Sequence, residues 1–281
     1  MSPRVSFLAS AVLALSAGAA SAQAVSEWRT VAPENLLIID TAHGRILAEL
    51  SPAQAPRHVE RIRALADQGF YDGLKFHRVI EGFMAQTGDP QGTGQGGSDL
   101  PDVAGEFTFR RPPGGGFVSV GPNPTGGQMG LLGSMTVQTQ PDAQAMVNAD
   151  FKVPGVGLFC PGTLGMARAA NPDSANSQFF IMTGRKDDLN GGYTAFGRVI
   201  LGMEAVRALK AGRPEADGQV QGDPDVMTRV RMASSLPESE RPAVRVMDVR
   251  SPAFAALLER TRAARGGAFN VCDIELPAQG G

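Results

Sequence analysis

Phe76-His77-Arg78-Val79-Ile80-Glu81-Gly82-Phe83-Met84-Ala85-Gln86-Thr87-Gly88-Asp89 reads as two short strands joined by a Glu81-Gly82 turn. Period two on a strand sends alternate side chains to opposite faces. The spacing predicts Phe76 and Arg78 on one face of the first strand, with His77 pointing away as a packed residue. On the second strand Met84 and Gln86 share one parity and Phe83 has the other. A cation and an amide beside aromatic and thioether groups are not what a plain core strand supplies. Taken alone, the pattern also fits a surface arginine on a half-buried strand.

Upstream, Leu36-Leu37-Ile38-Ile39 and Ile46-Leu47-Ala48-Glu49-Leu50 flank His43-Gly44 and predict a hairpin. Ala55 to Gln68 reads as a helix: Pro56 suits its first position, Val59, Ile62 and Leu65/Ala66 form one stripe, and Gly69 stops it. Downstream, Leu164–Arg168, Phe179–Thr183, Phe196–Ile200 and Met227–Met232 read as strands, and Met203 to Lys210 as a second helix with Met203, Val206 and Leu209 inward. Short strands with only two helices favour a closed antiparallel barrel, which hides strand edges. The segment 110–158 is rich in Gly, Pro, Gln and Met with weak periodicity, and is read as a long loop insertion. Beyond Leu236 a polar linker leads to a strand over Ala243–Val249. Ser251 and Pro252 then open a helix with Phe254, Leu257 and Leu258 on one face and Gly266 at its end. Phe269, Val271, Ile274 and Leu276 suggest a last strand.

The 281 residues carry a net charge of −2, with 42% hydrophobic and 19% charged side chains. That supports a packed core and argues against nucleic acid, which needs a basic surface. Gly (35) and Pro (20) are abundant, as in loop-rich folds. At the N-terminus Arg4 precedes an apolar stretch from Val5 to Leu15. Ala20-Ser21-Ala22 offers a cleavage site before Gln23, with Ala22-Gln23-Ala24 as a second choice. Residues 1–22 are therefore read as a signal peptide, and the mature chain as secreted and periplasmic, with no membrane span. Cys160 and Cys272 permit one disulfide in such a compartment, or two unpaired thiols.

Three other patterns carry little. Gly92-Thr93-Gly94-Gln95-Gly96-Gly97 fits G-x-G-x-x-G but neither opens a helix nor sits in a βαβ unit, so a flexible loop is the better account. His43, His58 and His77 fall on a turn, a helix and a strand, with no metal-ligand pattern. Ser174 and Ser177 lack a nucleophile elbow.

Two further blocks follow in order: Gly162–Ile181, which holds Gly165-Met166-Ala167-Arg168 and Ser177-Gln178-Phe179-Phe180-Ile181, and Phe196-Gly197-Arg198-Val199. Together with Phe76–Asp89 they resemble the cyclophilin family, whose most specific motif is F-H-R-x-I-x-G-F-M-x-Q-x-G-D. The likeness spans roughly Leu36 to Met232 and leaves out the tail. It implies a mainly β fold: a closed eight-stranded antiparallel β-barrel capped by two α-helices, here with a long loop insertion and a small C-terminal α/β extension. The expected organisation is an isomerase domain over 31–235 and an extension over 236–281 that packs on the barrel.

The resemblance also implies peptidyl-prolyl cis–trans isomerase activity without a cofactor or metal. The family's catalytic arginine falls on Arg78 and its glutamine on Gln86. Phe83, Met84 and Phe180 fall on the pocket for the proline ring, and Leu189 on its wall. Ala167 falls on the groove strand, and Gln178 on a polar residue of the groove. Arg168 stands where an asparagine backbone binds peptide, and Tyr193 where a histidine often sits. Asp188 stands where an aromatic residue meets cyclosporin, so weak binding of that drug is expected. The expected partners are proline-containing polypeptides, acted on by a monomer. The rival reading is a non-catalytic proline-peptide binding or chaperone module acting through the groove, insertion or tail.

Overall fold

The computed structural model describes residues 25–124 and 126–281. The signal segment and its cleavage site lie outside the described residues. In chain order the strands and α-helices are β1 (Trp28–Thr30), β2 (Leu36–Thr41), β3 (Gly44–Leu50), α1 (Pro56–Asp67), β4 (Arg78–Ile80), β5 (Met84–Thr87), β6 (Phe109–Arg111), β7 (Phe117–Pro122), β8 (Gln128–Leu132), β9 (Met135–Thr139), β10 (Val153–Gly157), β11 (Thr163–Met166), β12 (Phe179–Met182), β13 (Ala195–Leu201), α2 (Met203–Arg207), β14 (Arg229–Met232), β15 (Arg245–Met247), α3 (Pro252–Arg265) and β16 (Ala278–Gln279). Among the described residues no helix is long and apolar enough to cross a membrane.

Eight strands form one antiparallel sheet in the order β14-β2-β3-β13-β11-β12-β5-β4, curled around a core. The β2–β3 hairpin forms as its apolar runs predict and turns at Ala42-His43, with Thr41 paired to Gly44. Pro56 opens α1, and Val59, Ile62, Leu65 and Ala66 are buried on its inner stripe. The second helix is shorter than its pattern and ends at Arg207, although Leu209 is still buried beyond it. Gly202, just before α2, holds φ +89°, and a Cβ there would lie 2.2 Å from the Arg45 carbonyl oxygen. Only glycine lets the helix start this close to β3.

The expected closure of the barrel is not found. The sheet is an open half-barrel, and no continuous ladder joins β4 to β14. The open side is crossed by residues before each edge strand: Gly73 N–H donates to Met227 O (2.7 Å), Phe76 N–H to Asp225 O (2.8 Å) and Met227 N–H to Leu74 O (2.9 Å). The outer edge of β4 is covered by a loop, with Val79 N–H on Gly218 O and Val220 N–H on His77 O. A loop satisfies an exposed strand edge as well as a strand does.

The segment 110–158 is not a structureless loop. It supplies nearly all of a five-stranded antiparallel sheet, ordered β6-β10-β9-β8-β7. One face (Phe109, Phe117, Met135, Val137) joins an aromatic cluster on the half-barrel. The other (Val118, Val120, Met129, Leu131) packs against α3 of the tail.

The tail docks at two places. β15 pairs with β1 and β16, and Val244 and Val246 cover Leu36, Ile38 and Leu47 on the outside of the β2–β3 hairpin. α3 is capped as predicted, with Ser251 Oγ accepting from the Phe254 N–H (3.2 Å). Its Phe254 and Leu258 are buried against the insertion. The predicted last strand is instead a 3₁₀ turn at Val271–Asp273 followed by the short β16. Val271 and Ile274 are three apart, which suits a turn and not a pleat. Cys160 and Cys272 are joined in a disulfide, with Cα atoms 5.1 Å apart. Buried Arg198 of β13 donates to Ser134 O of the insertion (3.2 Å) and Ile274 O of the tail (3.1 Å). Its desolvation lowers the guanidinium pKa to about 10.

Candidate active site

β4, β5 and β12 carry the site on the outer face of the half-barrel. Val79, Ala85, Phe179 and Ile181 point into the core, so their alternate neighbours face out. Register then places Arg78 opposite Gln86, Ile80 opposite Met84, and Phe180 opposite Gln86 on the other side. Phe76 departs from its predicted face. It lies in the core with Val79, because β4 begins only at Arg78 and the alternation does not extend back to it.

These side chains surround a cavity of about 160 Å³ lined by Arg78, Phe83, Met84, Gln86, Ala167, Arg168, Phe180, Leu189 and Tyr193. Every candidate site residue except Gln178 is on this wall. Gln178 stands one hydrogen bond away, accepting from Gln86 Nε2 at 2.9 Å. It lines a neighbouring polar cavity of about 500 Å³, which shares Gln86, Ala167 and Arg168 with the first.

The apolar wall is braced from behind. Phe180 stacks on Phe159 at 5.8 Å between ring centroids, and both meet Tyr193 edge-on. Gly165 makes room for this stack: a Cβ there would lie 2.4 Å from Phe180 Cζ. Arg168 lays its guanidinium over the Tyr193 ring at 4.4 Å and donates to Gly192 O at 2.9 Å. Phe159 carried no mark in the sequence that tied it to the site.

The polar side forms a chain of hydrogen bonds. Arg78 Nη1 donates to Gln86 Oε1 (3.3 Å), Gln86 to Gln178, and Gln178 Nε2 to Gly96 O (2.8 Å). On its far edge Arg78 donates from Nε to Asp217 O (2.8 Å) and from Nη2 to Asp217 Oδ1 (3.0 Å). Asp217 was not anticipated, since Asp217-Gly218 signals only a turn.

Asp89 explains the glycine-rich loop. Its carboxylate accepts from the N–H groups of Gln91 (2.8 Å), Thr93 (2.8 Å) and Gly94 (2.6 Å). Burial pushes its pKa up, but these bonds outweigh burial and hold it below the usual carboxylate range. The loop is thus organised by an internal anion. The three histidines are in separate places. His43 meets Asp225 at 3.0 Å, and buried His58 meets Glu106 at 2.7 Å. His77 is buried, with its pKa lowered chiefly by desolvation.

A profile of the family described as "Cyclophilin type peptidyl-prolyl cis-trans isomerase/CLD" matches residues 36–234. This chain belongs to that family. A Brucella suis protein named "Probable peptidyl-prolyl cis-trans isomerase" is 36% identical over 232 residues, covering 79% of this chain and 94% of that one. A Rhizopus delemar "Peptidyl-prolyl cis-trans isomerase-like 1" is 32% identical over 184 residues, covering 66% and 85%. The crystal structure of cyclophilin AquaCyp293 from Hirschia baltica superposes with a TM-score of 0.80 at 34% identity, over 90% of this chain and 93% of that one. That likeness extends well past the 36–234 cyclophilin core.

The groups gathered here are two guanidiniums, Arg78 and Arg168, a relay of neutral amides and an apolar wall. Asp188 is exposed and pairs with Lys186 at 3.5 Å.

Proposed function

We propose that this cyclophilin accelerates rotation about Xaa-Pro bonds of exported proteins, with Arg78 as the catalytic group. Amide resonance sets a barrier of roughly 18–20 kcal/mol. In the twisted state resonance is lost and the prolyl nitrogen gains a basic lone pair. A guanidinium donating to that nitrogen lowers the barrier only if it binds the twisted state better than either planar one. Arg suits this because it keeps its charge and has donors to spare. Phe83, Met84, Phe180 and Leu189 hold the proline ring while the rest of the peptide turns. Gln86, steadied by Gln178, directs Nη1 toward the cavity.

The observation that carries this reading is the meeting of Arg78 with the apolar wall of a cavity of about 160 Å³, formed by Phe83, Met84, Phe180 and Leu189. No cofactor enters the scheme. The apolar N-terminal segment and its A-x-A site support export to the periplasm, and the chain is taken to act as a monomer. Turnover of a Xaa-Pro peptide by the full chain, followed by exchange NMR, tests the reading. Acceleration over the uncatalysed rate is expected. Peptide binding without acceleration would favour a proline-binding module instead.

A further inference from the structure

We infer that Asp217 is a positioning residue for Arg78, acting through its carboxylate oxygen. The inference rests on the reading of Arg78 as the catalytic group and adds to it. The guanidinium presents two edges. The Nε–Nη2 edge is taken by one residue, with Nε on the Asp217 main-chain oxygen and Nη2 on its carboxylate. That fork leaves Nη1 as the donor turned toward Gln86 Oε1 and Met84 Sδ at the cavity. An arginine carries four rotatable side-chain torsions, so one edge must be gripped if the other is to be aimed.

The gripping loop is itself fixed. Gly212 N–H donates to Val79 O (2.9 Å) and Val79 N–H to Gly218 O (2.8 Å), so the loop is fastened to β4 on both sides of Asp217. Gly218 lies so close that a Cβ there would be 2.2 Å from Ile80 Cγ1. Asp217 holds φ +50°, one of two non-glycine residues with positive φ among those described. Asp and Asn enter that region more readily than other side chains. The conformation sends both the carbonyl and the carboxylate of a single residue to one guanidinium. The Asp217 side chain is 82% exposed, so it buries nothing and adds little to the core.

The test compares kcat and KM on a Xaa-Pro peptide for the full chain, Arg78→Ala, Asp217→Gly and Asp217→Asn. Glycine keeps the backbone conformation and the carbonyl but removes the carboxylate. Asparagine keeps an acceptor oxygen and tolerates the same φ. Asp217→Gly is expected to lower kcat about three- to five-fold with KM nearly unchanged, the size an exposed ion pair supports. Asp217→Asn is expected to recover most of that loss, and thermal unfolding to match across the Asp217 variants. A glycine variant as fast as the parent, or faster, overturns the assignment. So does a rise in KM alone, or an asparagine variant as slow as glycine. Full activity in Arg78→Ala would instead remove the reading beneath it, and the two failures are told apart by that variant.

Discussion

Replacing both Cys160 and Cys272 with alanine removes the covalent tie between the tail and the strand leading into the site. The two cysteines are 112 residues apart in sequence. Closing a loop of that length restricts the unfolded chain by about 5 kcal/mol in the chain-entropy model. The tail has other holds, namely Phe254, Leu258, Val271 and Ile274 in the shared cluster and Arg198 on Ile274 O. These hold the native state and leave the entropy of the unfolded state untouched, so a loss of about 3–5 kcal/mol is expected. At about 2–4 °C per kcal/mol for a chain of this size, the melting temperature falls by roughly 6–20 °C. Trp28 is the only tryptophan. It sits in β1 opposite Met247 and packs in the tail cluster, so its fluorescence reports tail docking directly. Guanidinium unfolding of oxidised parent and double variant is the assay. Equal midpoints would refute the reasoning, as would two free thiols in the unfolded, unreduced parent.

Gly165→Ala places a methyl 2.4 Å from Phe180 Cζ and 2.5 Å from Phe159 Cε1. It is expected to cost about 1–3 kcal/mol of stability and to lower kcat/KM at least about ten-fold; unchanged kinetics would contradict the braced wall. His58 and His77 both have pKa values lowered chiefly by burial, so the unfolded chain binds protons that the folded chain refuses. Stability is therefore expected to fall as pH drops from 7 to 5, through the unfolded value of about 6.5. A further loss is expected below the ordinary carboxylate range, because Asp89 and Glu106 have lowered pKa values in the folded chain and the unfolded chain takes up those protons first. Urea midpoints flat from pH 7 to 5 would contradict the first step. Cyclosporin is expected to inhibit weakly, because docking an apolar ligand on Asp188 costs desolvation, and Asp188→Trp to tighten it; nanomolar inhibition of the parent would refute this.

The candidate cavity wall could be named from the sequence because the family resemblance runs through two short stretches. Phe83, Met84 and Gln86 lie on one short stretch with Arg78, and Phe180 and Gln178 come from a second. The helix α1 was legible from its stripe and its Pro56 and Gly69. The insertion was misread for a physical reason. Its strands carry Gly130, Gly155 and Gly157 where a Cβ would collide with Phe117, Phe109 and Ala195. Those glycines admit neighbouring side chains and remove the β-branched signal that marks a strand. The run Leu36-Leu37-Ile38-Ile39 held more than a hairpin. Four apolar residues in a row fit burial on both faces, and here the second face is covered by the tail. Asp217 depends on a loop folding back on β4, a contact across 139 residues that no local pattern announces.

The central claim is that Arg78 stabilises the twisted prolyl amide. Its guanidinium lies on the outer face, about a quarter exposed (26%), so Arg78→Ala leaves the core intact. The decisive measurement is kcat/KM of Arg78→Ala on a Xaa-Pro peptide, with thermal unfolding as the control for fold. A loss of about 100-fold or more at near-parental melting temperature is predicted, the size of removing a donor aimed at transition-state charge. A folded variant retaining more than about half the activity would contradict the account.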